Sequence, residues 1–384
     1  MMTNDMERNI GLVRNLDVLK CKDSNPMYLY SDPSDDVRHP KTEAGAYEWW
    51  YFDALDPVSG YGIVVILYDG LLFSPDYHEA VRSGLQETAE HHPGFSLSIY
   101  RDDETIFYSL ASYLKDTAHF GDVNEPVQIG SNRVVSEMLD GKLIYHVHID
   151  ETLPSGLKAN GMLSFESPYV TTRTQMGNPQ SHHRWNLVQP NSMVNGQVML
   201  SKSGRPIETC SFATRGYHDH NIGLRPLKRD FDEWYWGRIH IGDKTLLWYN
   251  MCTLGQSETS AWLIEDAGVD FGKQISMVGL GDISQSVFSL KKERRWSVDL
   301  DGEQYLVIED HIWDNGPFYQ RYKVKLVDVN EKDVAGALPG IAEYIKPDRI
   351  EASWVRPMIR IRHHQNAKQG NWIQRSAVLS RLTW

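Results

Sequence analysis

The chain has 384 residues, 41% apolar and 23% charged, with 39 basic and 51 acidic side chains and a formal charge of −12, a length that suits two domains with sizeable cores. The acidic balance excludes nonspecific nucleic-acid binding, which depends on neutralising phosphates. Three separated cysteines, Cys21, Cys210 and Cys252, form neither a zinc signature nor a disulfide framework and fit a reducing interior.

Residues 1–44 are polar, carry Ser31-Asp32-Pro33-Ser34-Asp35-Asp36 and lack an apolar signal core. They read as an N-terminal leader that wraps a domain or is partly mobile. From Tyr47 onward β-patterns dominate. Glu48-Trp49-Trp50-Tyr51-Phe52-Asp53-Ala54 is followed by a turn, Asp56-Pro57-Val58-Ser59-Gly60, and an apolar run over 62–68. The longest apolar stretch, 63–73, is broken by Asp69 and Gly70 and is far short of a membrane span. A cytoplasmic location follows as the expectation, with loose membrane-surface association compatible with a lipid substrate. A short helix is predicted from Pro75, capped by Ser74. Residues 95–100 and 142–149 alternate as half-buried strands do.

The polar stretch 171–190 is poor core material and predicts a boundary, giving β-domains over 45–190 and 191–384. Further strands are predicted at 196–201, 234–241, 246–251, 261–264, 305–308 and 321–327, and a second short helix around 376–382. Many strands separated by Gly, Asn, Asp and Pro give an all-β class, sandwich or barrel. The aromatic cluster recurs as Glu233-Trp234-Tyr235-Trp236-Gly237-Arg238-Ile239, again followed by a turn at 241–244 and an apolar run over 245–251. Two copies of one hairpin suggest two related β-domains. Trp and Tyr supply large rigid walls whose ring faces attract cations. That suits a pocket for a long apolar substrate whose chemistry develops positive charge; two aromatic-packed cores are the plainer alternative.

Chemistry concentrates between His182 and Asn221. His, Tyr and Asp beside Gly, in Arg215-Gly216-Tyr217-His218-Asp219-His220-Asn221, suit proton transfer in a tight site. In a strand Tyr217 and Asp219 share one face and His218 and His220 the other. A metal site competes, since His146-x-His148 and His218-x-His220 each put two imidazoles on one strand face. Fifteen histidines produce such pairs by chance, and no metal is expected. There is no dinucleotide or nucleotide-phosphate loop and no nucleophile elbow. Cofactor-dependent redox, ATP chemistry and serine hydrolysis are poor fits, and no cofactor is expected.

Several ordered motifs resemble the carotenoid 1,2-hydratase (hydroxyneurosporene synthase) and AttH-like superfamily. Glu48 to Ala54 resembles its tryptophan-rich opening motif, and Phe73-Ser74-Pro75-Asp76-Tyr77 its Phe-Ser-Pro-x-Tyr segment. His183-Arg184-Trp185 resembles His-x-Trp, and Gly216 to Gly223 resembles Gly-Tyr-x-Asp-x-Asn-x-Gly. The stretches Glu233-Trp234-Tyr235-Trp236 and 343–349 match more loosely. The resemblance spans roughly residues 45–362. It implies two lipocalin-like β-domains with a pocket near their interface, a cofactor-independent hydratase mechanism, an acid–base Asp at Asp219, and companions at Tyr217, His183 and Trp185. Glu48, Trp49, Trp50, Tyr51, Asp69, His218, His220 and Trp236 are the expected substrate-binding wall. Glu48, Asp69, His218 and His220 depart from the hydratase pattern and suggest a more polar or smaller substrate than a carotenoid.

The expected mechanism is protonation of an isoprenoid or polyene alkene by Asp219, desolvated by Trp185, Trp50 and Trp236. Tyr217 and His183 would orient the acid, the cation would rest against Trp185, and water would add. A cyclase or pericyclase, and a noncatalytic carrier of a lipophilic small molecule, are the alternatives.

Overall fold

The computed structural model describes residues 27–170, 174–265, 271, 274–366, 368–376 and 379. Its strands fall into two large antiparallel-dominated sheets, one a half-barrel and one nearly closed. The lipocalin-like all-β class read from the sequence is the class observed.

The first sheet holds β1 (Met27–Ser31), β2 (Tyr47–Leu55), β3 (Tyr61–Asp69), β4 (Gly94–Arg101) and β5 (Glu104–Ser112), and the long hairpin β6 (His183–Lys202) and β7 (Arg205–Gly223). Strands β5, β4, β3, β2, β7 and β6 lie side by side in that order. The second sheet is built on β8 (Glu233–Ile241) and β9 (Lys244–Thr253); β10 (Tyr319–Asp328) pairs with β11 (Gly340–Ile345), and β11 lies beside β8.

The apolar runs have a direct cause. β2 and β3 are buried almost end to end on both faces, which demands near-continuous hydrophobic strands in place of alternation. One face, with Trp50, Phe52 and Val65, packs into the core of the first barrel. The other, with Tyr51, Val64 and Tyr68, packs against Trp234, Trp236 and Leu247 of the second sheet. Tyr235, Ile239 and Trp248 fill the second barrel. The two aromatic hairpins therefore meet face to face at equivalent positions. Trp49 meets Trp234 at 6.2 Å and Tyr51 meets Trp236 at 5.4 Å between ring centroids. Asp53 is ion-paired to Arg238, both fully buried.

The helix predicted from Pro75 is present as α1 (Pro75–Arg82), with the Ser74 side chain accepting from Tyr77 N–H. The one predicted around 376–382 lies mostly outside the described residues, and a short helix, α2 (Trp372–Arg375), precedes it. The boundary expected at 190/191 falls inside the continuous strand β6; strand pairing joins residues up to Gly223 to the first sheet. Much of the expected leader, 1–26, lies outside the described residues. Its remainder includes β1, which pairs with β6 in parallel and with Thr174–Gly177 in antiparallel fashion. Among the described residues no helix is long and apolar enough to cross a membrane.

Candidate active site

Strand β7 carries the site, and its two motif glycines are there because neighbours leave no room for a side chain. A Cβ on Gly223 would sit 2.1 Å from the Tyr47 ring, and one on Gly216 would sit 2.6 Å from the Asp53 carbonyl oxygen. Between them alternation sends Tyr217, Asp219 and Asn221 to the intersheet face and His218 and His220 to the barrel interior. Opposite Asp219 the partner strand is irregular: Asn186 pairs with His220 but Gln189 pairs with His218, so β6 has one residue too many there. Such bulges re-aim side chains beside functional sites.

Asp219 is 2% exposed. Its Oδ2 accepts from the Trp185 indole N–H and the Tyr217 hydroxyl, each at 2.7 Å, and its Oδ1 accepts from the Asn221 amide at 2.9 Å. Burial pushes the carboxyl up to about 7, outweighing the Tyr217 and Trp185 donors that favour the anion; the negative charges of Glu343 and Asp53 push it the same way. With two donors already on Oδ2, the proton belongs on Oδ1.

Asp219 and Asn221 open onto a groove between the sheets. Its floor follows a continuous row of register partners, Asp219, Tyr51, Ile66, Ser96 and Leu110, from β7 across β2, β3 and β4 to β5. Four interstrand steps of about 4.8 Å make that row roughly 19 Å long. At the Asp219 end the walls are Trp49, Trp234 and Trp236. Trp185 and Tyr217 do not line the groove; they hold Asp219 from behind, with Tyr217 stacked on Trp236 at 5.6 Å. The ring faces presented to the groove are thus those of Trp49, Trp234 and Trp236, not that of Trp185.

His183 is also behind the wall. Tyr47 hydroxyl and His183 Nδ1 are 2.9 Å apart. Burial pushes the imidazole down to about 3, with Asn221 the only group pulling the other way. It is neutral at ordinary pH, and no hydrogen bond joins it to Asp219 among the described residues, so direct contact with the acid, as the sequence suggested, is not what the side chains make.

Five residues expected on the substrate wall lie on the opposite face. Trp50 stacks on His220 at 4.5 Å, inside the barrel. Glu48 and Asp69, register partners on β2 and β3, both engage the fully buried Lys41 ammonium, Asp69 at 2.8 Å. His218 and His220 meet Asp36 at 3.2 and 3.1 Å, and His220 meets Glu48 at 2.9 Å. Burial alone would raise Asp36 and Glu48; the imidazoles and, for Glu48, Lys41 outweigh it and hold both well below the usual carboxylate range. Burial lowers His220, but Asp36 and Glu48 win and its net shift is upward. His39, Glu48 and His220 bring three potential ligand atoms within 4.8 Å of one another. Both ring nitrogens of His220 face carboxylate oxygens, however, which is the arrangement of an imidazolium; a metal ligand keeps one lone pair free.

The carotenoid hydratase CrtC family matches residues 65–371. The chain belongs to that family. A protein named hydroxyneurosporene dehydrogenase from Chlorobaculum tepidum is 26% identical over 342 residues, covering 85% of this chain and 89% of that protein. An acyclic carotenoid 1,2-hydratase of Thiocapsa roseopersicina is 26% identical over 223 residues, 57% of this chain and 51% of that protein. The crystal structure of CghA shares the fold, with a TM-score of 0.50 at 11% identity over 83% of this chain and 97% of that one. As a CrtC-family member the chain is a hydratase-type enzyme.

Sequence reasoning brought Asp219, Tyr217, Trp185, Trp49, Tyr51 and Trp236 to one place. It missed Asn221, Trp234 and the charged residues Asp314, Arg321, Glu343 and Arg362 that line the groove. The repeat pointed to Trp234, since it aligns with Trp49; the four charged residues stand in otherwise ordinary patterns far along the chain.

Proposed function

We propose that the protein hydrates a carbon–carbon double bond of an acyclic isoprenoid or polyene, with Asp219 as the acid. The observation that supports this most directly is a carboxyl raised to about 7 at the indole-walled end of a long apolar groove. Carbon is a poor base, so the acid must be protonated at neutral pH and dry. The Oδ1–H bond breaks as a new C–H bond forms at the less substituted alkene carbon. The tertiary cation left behind sits against Trp49, Trp234 and Trp236, where a desolvated ring is worth about 2 kcal/mol. Water adds to it and gives its surplus proton to the Asp219 carboxylate, which closes the cycle without a cofactor. Tyr217 and Trp185 fix the carboxyl and share its charge while it is anionic.

Asp219→Asn keeps size and polarity but has no proton to give. Turnover of an acyclic polyene should fall by about 10³-fold, within the usual span for a general acid, with an unchanged circular dichroism spectrum. Product from the wild type in heavy-oxygen water should carry the label. Unlabelled product would replace hydration with a cyclisation ending in proton loss, and full activity in Asp219→Asn would remove Asp219 from the chemistry.

A further inference from the structure

Asn221 stands in a row that crosses three strands. Its register partners are Trp49 on β2 and Trp185 on β6, so an indole flanks it on each side. Trp234 of the second sheet meets both of those rings, each at 6.2 Å between centroids. Trp234 therefore lies across Asn221, and both side chains line the groove beside Asp219.

This row leaves polar atoms unused. The Asn221 amide nitrogen donates to Asp219 Oδ1 at 2.9 Å. Asn221 Oδ1, however, is buried and has no hydrogen-bond partner among the described residues, and the same holds for the Trp234 indole N–H. The neighbouring His183, 4.9 Å from Trp234 between ring centroids, satisfies neither, since its own Nε2 also lacks a partner. Buried polar atoms are normally satisfied. An unused acceptor and an unused donor on two side chains packed together are what a buried water needs, since it takes two to four polar partners.

Resting on the reading of Asp219 as the acid of a hydration, we infer that Asn221 and Trp234 hold the water that captures the cation. The water accepts from the Trp234 indole N–H and donates one hydrogen to Asn221 Oδ1. Its second hydrogen is left for Asp219 Oδ1, which the Asn221 amide nitrogen holds in place, and its second lone pair is left for the cation. Capture forms the C–O bond; the O–H bond toward Asp219 breaks, and the carboxyl regains the proton it gave to carbon. The neutrality of both partners matters, because a cation at this position would keep Asp219 ionised.

Capture and protonation are told apart by the fate of the cation in deuterium oxide. The probe is lycopene, an acyclic polyene. A captured cation becomes the hydrate. A cation that is not captured returns a proton from the same carbon to Asp219, and the recovered alkene carries deuterium there. Trp234→Phe keeps an aromatic wall and deletes the N–H; Asn221→Leu keeps the volume and deletes the acceptor. Each should raise the ratio of exchanged alkene to hydrate about tenfold, as loss of a hydrogen bond worth about 1.4 kcal/mol does. Tyr217→Phe, which alters the acid's own hydrogen bond, should slow both products together and leave the ratio at its wild-type value, as purely structural damage would. An unchanged ratio in both Trp234→Phe and Asn221→Leu overturns the inference. Diffraction from wild-type crystals tests it without turnover: a water within about 3.2 Å of Asn221 Oδ1 and Trp234 Nε1 supports it, and no water there overturns it. A wild type that forms no hydrate fails the hydration reading instead, and diffraction alone then decides the water site.

Discussion

The patch of sheet formed by β2, β3 and β7 carries buried carboxylates on both faces, and the two faces hold them in opposite states. On the intersheet face Asp219 has neutral donors only, and burial takes it to about 7. On the barrel face Glu48, a register neighbour of the same strands, has His220, His39 and Lys41 around it and stays well below the usual range despite equal burial. The difference teaches that the number of cations around a dry carboxyl decides its state: three outweigh burial at Glu48, whereas the single Arg238 guanidinium does not at Asp53, which is still pushed upward. Environments that push two carboxyls apart commonly separate chemistry from support. The ionised face also binds residues 36–41 to the back of the strand that bears Asp219, through Asp36 with His218 and His220.

That contrast breaks hardest at Lys41. Lys41→Met removes the ammonium that Glu48 and Asp69 share and leaves Arg38 on Asp69 and His39 and His220 on Glu48; losing one partner of a buried ion costs up to about 3–5 kcal/mol. Urea unfolding at neutral pH should show a loss of that size, while the pH–rate limb of the surviving folded protein stays where Asp219 puts it. A loss under about 1 kcal/mol, as at a surface pair, would mean the barrel face is wet and the contrast false.

The two faces should also carry opposite signs in stability against pH. Asp219 has a folded value above its unfolded one, so the native state keeps a proton the unfolded chain releases, and wild-type stability drops as pH rises from about 4 to about 7. Asp219→Asn does not titrate; relative to wild type it should gain through that window, by about 1.4 kcal/mol per unit of displacement. Glu48 is depressed, so its stabilisation is present above its unfolded value and fades as pH falls below about 4. Glu48→Gln should be at its worst near neutrality and approach wild type in acid. Parallel pH profiles for the two variants, measured by chemical denaturation, would erase the distinction.

Much of this was legible beforehand, and the gaps have a physical cause. Alternation within β7 already divided Tyr217 and Asp219 from His218 and His220. Placing Trp50 required more, because parity within one strand does not fix parity between strands. The pairing of Asp219 with Tyr51 puts Tyr51 on the acid's face and therefore Trp50, Glu48 and, across the next pairing, Asp69 on the other. The acidic run 32–36 reads as solvated until two imidazoles from a strand far along the chain bury Asp36. Arg321 and Arg362 left no local trace at all: their role depends on β4 and β5, more than two hundred residues upstream. The hairpin repeat was the long-range feature the sequence did carry, since equivalent positions of the two copies are the ones that touch.

The finest test of the contrast lies within the acid's own shell. Tyr217 and Trp185 both donate to Asp219 Oδ2, so both favour the anion, and they are what keeps the carboxyl from climbing further. Tyr217→Phe removes one donor and leaves the ring stacked on Trp236. A hydrogen bond to a charged group is worth about 1.5–3 kcal/mol, so the carboxyl should rise by roughly one to two units. With the protonated form as the proposed active one, the descending limb of kcat/KM should move to higher pH by that amount, giving the variant relatively more activity in alkali even if its plateau is lower. Trp185→Phe should act in the same direction. An ascending limb that moves to higher pH by the same amount would mean the anion is the working state, with Asp219 taking a proton where the hydratase reading has it giving one.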